Sequence, residues 1–94
     1  MTPEEVLAEI ADTLEQGWCQ WRESENRNGK MHYCIGGAFN KLVYGRLHLD
    51  RHAMVSAWHA LEKEMGIPPV IWNDTEGRTQ EEVVTTIRNA KRHL

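Results

Sequence analysis

The chain has 94 residues, 40% of them hydrophobic and 27% charged, which predicts one globular domain over residues 1–94. No apolar run approaches the ~18 residues that span a membrane, and the acidic start "MTPEEVLAEI" lacks the basic region of a signal peptide. A net charge of −3 argues against a nucleic-acid binder. We therefore expect a cytoplasmic protein without membrane insertion, in which Cys19 and Cys34 are free thiols.

The first predicted helix begins at "TPEE". Thr2 is the candidate N-cap, Pro3 suits the first helical position, and Glu5 completes a capping box. Gly17 is expected to end the helix in the left-handed conformation. Between them lies one apolar stripe at helical spacing, which consists of Val6, Leu7, Ile10, Ala11 and Leu14.

A polar, irregular segment, "CQWRESENRNGKMHY", follows the first helix. The dipeptide Asn28-Gly29 is a turn signal because both residues tolerate positive φ. Two short extended arms around it are compatible with a ragged β-hairpin, although the pattern does not require one.

The segment "CIGGAFNKLVYG" predicts the second helix, with Ile35, Phe39 and Leu42 on one face. Gly36 and Gly37 each cost about 1 kcal/mol relative to alanine inside a helix. We expect another helix or a Trp ring to pack against their bare backbone and offset this cost. In the weaker alternative, the helix begins only after the two glycines.

The remaining chain predicts two more helices. Asp50 is the candidate N-cap of the third, Gly66 ends it, and "VIW" then reads as a short extended piece. Thr79 begins the fourth helix, with Glu82 placed for a second capping box. The predicted fold is therefore mostly α, a compact four-helix domain with room for a short β-hairpin between helices one and two. The core stripe of the third helix is Met54, Trp58, Leu61 and Met65.

The loop before the last helix reads as a structural turn. Trp72 is expected to be a buried anchor, and Asn73 and Asp74 to bond nearby backbone groups. Gly77 is expected to have positive φ. The arginine that follows it is expected to pair with Asp74 or Glu76. The predicted structural motif is Trp72, Asn73, Asp74, Gly77, Arg78, Thr79 and Glu82.

Two blocks, "GWCQW…HYCIGGAF" and "WNDTEGRTQEEV", resemble a family of small actinobacterial and actinobacteriophage proteins of uncharacterised function. The family pattern ends in W-N-D-x-x-G-R-T-x-x-E-V. The insert "RESENRNGK" departs from the family. The resemblance implies a phage or prophage accessory protein, specifically of a mycobacteriophage, and such small proteins often bind a host protein. The matching residues are Trp18, Cys19, Cys34, Gly36, Gly37, Ala38, Trp72, Asn73, Asp74, Gly77, Arg78, Thr79, Glu82 and Val83.

The histidines raise the possibility of a metal site, which we consider less well supported than surface histidines and core thiols. His48, His52 and His59 share a face only if one helix contains all three, and Asp50 as a cap would break that helix. A convergence of Cys19, His32 and Cys34 at the hairpin lacks an evident fourth ligand. We predict no metal and no cofactor.

Catalysis is the alternative to binding. A position near a helix N-terminus would lower the pKa of Cys34, but a nucleophile also needs a base, and His32 would point elsewhere. Asp74 and Glu76 are weaker candidates for acid–base chemistry, because both are expected to be exposed. A small cysteine-dependent enzyme or metal-binding factor that uses Cys34 is therefore the second hypothesis. We expect that the protein is not an enzyme.

Protein binding is the leading hypothesis. The chain holds four tryptophans, and Trp18 and Trp21 are hard to bury together in so small a core. An exposed Trp beside Arg is typical of a binding hot spot. The predicted partner-binding residues are Trp21, Arg22, Arg27 and Lys30. The predicted function is to bind and modulate a host cytoplasmic protein, of which a cell-pole or cell-wall growth scaffold is one example.

Overall fold

The computed structural model describes residues 1–45 and 50–94. Within them the predicted mostly helical fold is confirmed, and the predicted hairpin lies between the first two helices. The elements in chain order are α1 (Pro3–Gln16), β1 (Ser24–Arg27), β2 (Lys30–Tyr33), α2 (Ile35–Gly45), α3 (Arg51–Met65), α4 (Pro69–Asn73) and α5 (Gln80–Asn89), followed by a 3-10 turn over Ala90–His93.

The capping box that begins α1 is confirmed. The Glu5 amide donates to Thr2 Oγ1 at 3.1 Å, and the Thr2 amide donates to Glu5 Oε1 at 2.8 Å. The left-handed conformation predicted for Gly17 is wrong, since its φ of −176° and ψ of 121° are extended. The extended chain instead runs beside β2, where a Cβ on Gly17 would lie 2.7 Å from the Met31 carbonyl oxygen. Glycine therefore permits a close approach at this position.

The hairpin forms because its turn residues accept left-handed backbone. Asn28 has φ 53° and Gly29 has φ 83°, the signs that a two-residue hairpin turn of type I′ needs. The strands are antiparallel, with Ser24 opposite Tyr33. The segment after α1 extends this sheet, because the Cys19 amide donates to the Tyr33 carbonyl at 3.0 Å.

Helix α2 includes both glycines, so the alternative in which it begins after them is wrong. The predicted helix neighbour exists at Gly36, where a Cβ would lie 3.1 Å from Val70 of α4. At Gly37 the neighbour is neither a helix nor a Trp ring. It is the backbone of Glu23, directly before β1, and a Cβ would overlap its carbonyl group. Gly37 thus lets the hairpin pack directly onto α2.

The extended conformation predicted for "VIW" is wrong. These residues lie in the short helix α4, which Pro69 begins at a position where its missing amide costs nothing. Asp50 caps α3 and Gly66 ends it, both as predicted, and the glycine adopts the left-handed conformation with φ 75°. At α5, Thr79 Oγ1 accepts from the Glu82 amide at 3.2 Å. The Glu82 carboxylate binds Arg78 at 3.0 Å, so the second predicted capping box is only half formed.

The core lies where α1 packs against α2, α3 and α5. Trp58 and Met65, predicted on the core stripe of α3, are only partly buried, and the Trp58 ring lies 4.8 Å from that of Phe39. No helix within residues 1–45 and 50–94 is long and apolar enough to cross a membrane. The buried core residues include Val6, Leu7, Ile10, Leu14, Ile35, Leu61, Val83 and Ile87.

Two glycines of α2 test the close packing of the hairpin. We expect Gly37→Ala to destabilise the domain by about 2 kcal/mol or more, because the new methyl group collides with the Glu23 backbone. Gly45→Ala is the matched control, since a Cβ there meets nothing within 4 Å. It should be neutral or stabilising by up to about 1 kcal/mol. Urea unfolding measures both, and equal stability of the two variants would contradict the described contact.

Candidate functional site

Asn73 is completely buried at the end of α4, and its side chain joins three separate parts of the chain. Its Oδ1 accepts from Trp18 Nε1 at 2.8 Å and from the Ile35 amide at 3.2 Å. Its Nδ2 donates to the Cys19 carbonyl at 3.2 Å and to Asp74 Oδ1 at 2.9 Å. Both donors and both acceptors of the amide are therefore used.

The prediction that Asn73 bonds nearby backbone groups is wrong. Apart from Asp74, its partners lie 38 to 55 residues away in sequence. Because α4 is a helix and not an extended piece, its last residue lies against the segment after α1 and the start of α2. The amide is thus a tertiary crosslink between elements.

A second set of bonds fixes the segment that follows α1. The Trp21 amide donates to Asp74 Oδ1 at 2.8 Å, and the Trp21 indole Nε1 donates to the Asp74 carbonyl at 3.1 Å. Gln20 Nε2 donates to the carbonyls of Asn73 at 3.0 Å and Thr75 at 2.9 Å. Asp74, expected to be exposed, is half-buried and holds this segment against the end of α4.

Trp21 is exposed although both its backbone and its indole nitrogen are fixed. Its side chain is 69% exposed, and its backbone has φ 65°. A bulky residue in the left-handed region costs roughly 1–3 kcal/mol, and such strain persists only where the surrounding structure imposes it. The two bonds to Asp74 impose it here, so the ring is displayed in one orientation.

A groove of about 240 Å³ brings three of the four predicted partner-binding residues together. Arg27 Nη2 lies 2.7 Å from Glu25 Oε2, and Arg22 Nη1 lies 3.8 Å from Glu25 Oε1. Two guanidinium groups thus share one carboxylate beside Trp21. Lys30 lines a different groove, with acidic residues of α1. The groove is lined by Trp18, Cys19, Gln20, Trp21, Arg22, Glu25 and Arg27.

The rest of the predicted structural motif folds as a turn with one unexpected pairing. Trp72 is buried and Gly77 has φ 86°, both as predicted. The pairing of Arg78 with Asp74 or Glu76 is wrong. The Arg78 guanidinium instead stacks 3.9 Å from the centroid of the Trp72 ring, and its Nε donates to the Trp72 carbonyl at 3.0 Å.

Both cysteines are buried free thiols. Burial raises the pKa of Cys19 and of Cys34. The amide of Gly37 donates to Cys34 Sγ at 3.3 Å, and such bonds favour the thiolate, but burial has the larger effect on the Cys34 pKa. The lowered pKa predicted for Cys34 is therefore wrong. The Cys34 sulfur caps the start of α2. The Nδ1 atom of His32, the candidate base for Cys34, lies 3.1 Å from the Lys30 carbonyl.

The metal hypothesis rested partly on His48, which lies outside the described residues. In the described ranges, no three or more side chains of His, Cys, Asp or Glu come together as metal ligands would. His52 and His59 lie on α3, and the Nε2 atom of His59 is 4.0 Å from Glu62.

Over residues 1–45 and 50–94, the fold and this site define a small helical domain with a hairpin and an exposed tryptophan held by hydrogen bonds. The chain belongs to the family of unknown function DUF6197, whose model matches residues 1–93. This membership confirms that the chain resembles an uncharacterised family, while its phage or actinobacterial origin stays a prediction. Comparison with curated proteins and with solved structures finds no match.

Replacement of Asn73 tests its role as a crosslink. Asn73→Ala leaves the Trp18 indole N–H and the Ile35 amide without their acceptor, and each such buried group costs about 1–3 kcal/mol. We expect a total loss of about 3 kcal/mol or more in urea unfolding. Asn40→Ala is the control, because it removes one exposed bond to Glu23 and should cost under about 1 kcal/mol. A similar small loss for both variants would contradict the crosslink.

The thiols are expected to be unreactive in the folded protein. Because burial raises the pKa of Cys19 and Cys34, less thiolate is present near pH 7 than at an exposed cysteine. Alkylation of the two thiols should take hours in the folded protein and minutes in the protein unfolded by concentrated urea. By linkage, the stability that these thiols contribute is present below their ordinary pKa of 9.0 and falls as the pH rises above it. Fast labelling of the folded protein near pH 7 would contradict this assignment.

Proposed function

We propose that this chain is a non-enzymatic accessory protein of an actinobacteriophage or prophage, which binds a cytoplasmic protein of the bacterial host. Its effect on that protein would serve host takeover, growth inhibition or superinfection exclusion. The blocks around Trp18 and Trp72 support the phage origin through the resemblance stated above. The one observation that carries a binding role is the fixed and exposed ring of Trp21.

Trp21 suits binding because its position is already determined in the free protein. A side chain that must be ordered when a partner arrives costs about 0.5–1.5 kcal/mol, and a preorganised ring avoids that cost. The Trp21 ring is held by its indole bond to Asp74, while most of its surface remains exposed. Tryptophan is enriched among the residues at the centres of binding hot spots, where a partner covers the ring.

The two arginines support the same surface. Arg22 and Arg27 remain more than half exposed although both contact Glu25. Arginine is enriched with tryptophan among hot-spot residues, since it offers several donors in a planar group. Lys30 lines the neighbouring groove, so it would join only an interface wide enough to reach both.

The proposed target is a host cytoplasmic protein such as a cell-pole or cell-wall growth scaffold. The cysteine-dependent alternative gains no comparable support, because Cys34 is buried and its pKa is raised. A protein captured from a mycobacterial lysate on the immobilised chain, identified and then purified, allows the binding constant to be measured directly.

Two replacements of Trp21 separate binding from folding. Trp21→Ala removes the ring, and Trp21→Gly removes it while accepting the left-handed φ at no steric cost. Both variants should melt close to the original protein because the ring is 69% exposed. Both should bind the purified partner about 30-fold more weakly, the loss of about 2 kcal/mol typical of a hot spot.

The matched control for these variants is Tyr44→Ala, because Tyr44 is an aromatic residue that is 85% exposed on a different element. It should bind like the original chain. Full binding by Trp21→Gly, with or without a loss in Tyr44→Ala, would remove the Trp21 surface from the interface.

A further inference from the structure

The groove beside Trp21 has a charge that indicates the kind of partner segment it fits. The guanidinium groups of Arg22 and Arg27 line it together with the carboxylate of Glu25. Glu25 and Arg27 lie two residues apart in β1, so both side chains leave the same face of the strand. Two cations and one anion give these three side chains a net charge of +1, in a chain whose net charge is −3.

Glu25 shows how this groove holds a carboxylate. Its Oε2 atom lies 2.7 Å from both Nε and Nη2 of Arg27. Its Oε1 atom lies 3.8 Å from Nη1 of Arg22, which is longer than a hydrogen bond, so Glu25 leaves the donors of Arg22 available. A planar guanidinium recognises a carboxylate through several donors at once, and a second carboxylate could therefore bind beside the first.

The two cations of the groove are more exposed than its anion. The side chains of Arg22 and Arg27 are 63% and 53% exposed, whereas that of Glu25 is 29% exposed. The carboxylate of Asp74 accepts from the Trp21 amide and from Asn73 Nδ2, and it does not line the groove. An approaching partner therefore meets guanidinium groups and the exposed Trp21 ring.

We propose that the Trp21 groove, in the binding role proposed above, receives an acidic segment of the partner protein. An apolar side chain of that segment would cover the Trp21 ring, and an Asp or Glu beside it would pair with Arg22 and Arg27. A basic segment would bring like charges together, which costs binding free energy. An uncharged apolar segment would bury the guanidinium groups without supplying a counter-charge, which is also unfavourable.

Single-stranded nucleic acid is the other ligand that an aromatic ring and arginines can bind, through stacking and phosphate contacts. Such binding uses a positively charged groove that follows the phosphate backbone. Here the net charge of the three groove side chains is only +1, and Lys30 lines a different groove with Glu9 and Asp12. The observations therefore favour carboxylates on a protein segment.

Selection of random short peptides on the immobilised full chain tests this proposal. The Trp21→Gly chain removes peptides that do not need the ring. The enriched peptides should contain Asp or Glu beside an aromatic or aliphatic residue. A labelled synthetic peptide of the enriched sequence then gives the binding constant by fluorescence anisotropy. Arg22→Gln and Arg27→Gln should each weaken its binding by about fivefold, near the upper value for an exposed ion pair.

Replacement of Glu25 gives the sharper result. Glu25→Gln removes the carboxylate that competes for the two arginines, so it should tighten binding of the acidic peptide by about threefold. Glu81→Gln is the matched control, because it makes the same change of net charge on α5, at a groove that shares no residue with this one. It should bind like the original chain. Circular dichroism verifies that each variant is folded.

Several results would overturn the acidic segment. They are enriched peptides that are basic or uncharged, a selection without any Trp21-dependent peptide, and equal affinity of Glu25→Gln and the original chain. Tighter binding of a labelled oligothymidylate than of the acidic peptide would overturn it in favour of nucleic acid. The need of the host partner for Trp21 is decided separately, by the binding of Trp21→Gly to that purified partner.

Discussion

The arrangement of this domain depends on the buried amide of Asn73. The segment from Trp18 to Trp21 contacts β2 through one isolated bridge, between Trp18 and Tyr33, and through the Cys19 thiol, 3.7 Å from the His32 carbonyl. The end of α4 also holds it, through Asn73 and then through Asp74. A buried polar group left without a partner costs about 1–3 kcal/mol, so the four bonds of Asn73 favour one register between α4, the start of α2 and the segment after α1.

The exposed conformation of Trp21 is a consequence of that register. Burial of an aromatic ring releases about 1.5–3 kcal/mol, and an ordinary backbone conformation would relieve roughly 1–3 kcal/mol of strain. At Trp21 the domain gains neither the burial nor the relief of strain, although Trp72 is buried and Trp18 is partly buried against the core. Neither loss strengthens the isolated chain. A partner that covers the ring would recover the burial, which supports the proposed role of Trp21 in binding.

The features that the sequence predicted correctly are local. Thr2, Asp50 and Thr79 bond within three residues of themselves, and the apolar stripes follow helical spacing, so short patterns contain this information. Several features that it missed involve distant partners, while the extended Gly17 and the short helix α4 are local misses. Asn73 binds residues far away, and Gly37 is needed because Glu23 approaches it. Arg78 stacks on the buried Trp72 ring and pairs with Glu82, and not with Asp74 or Glu76, an arrangement that only the folded loop determines. At Cys34, burial outweighs the helix start that suggested a reactive thiol.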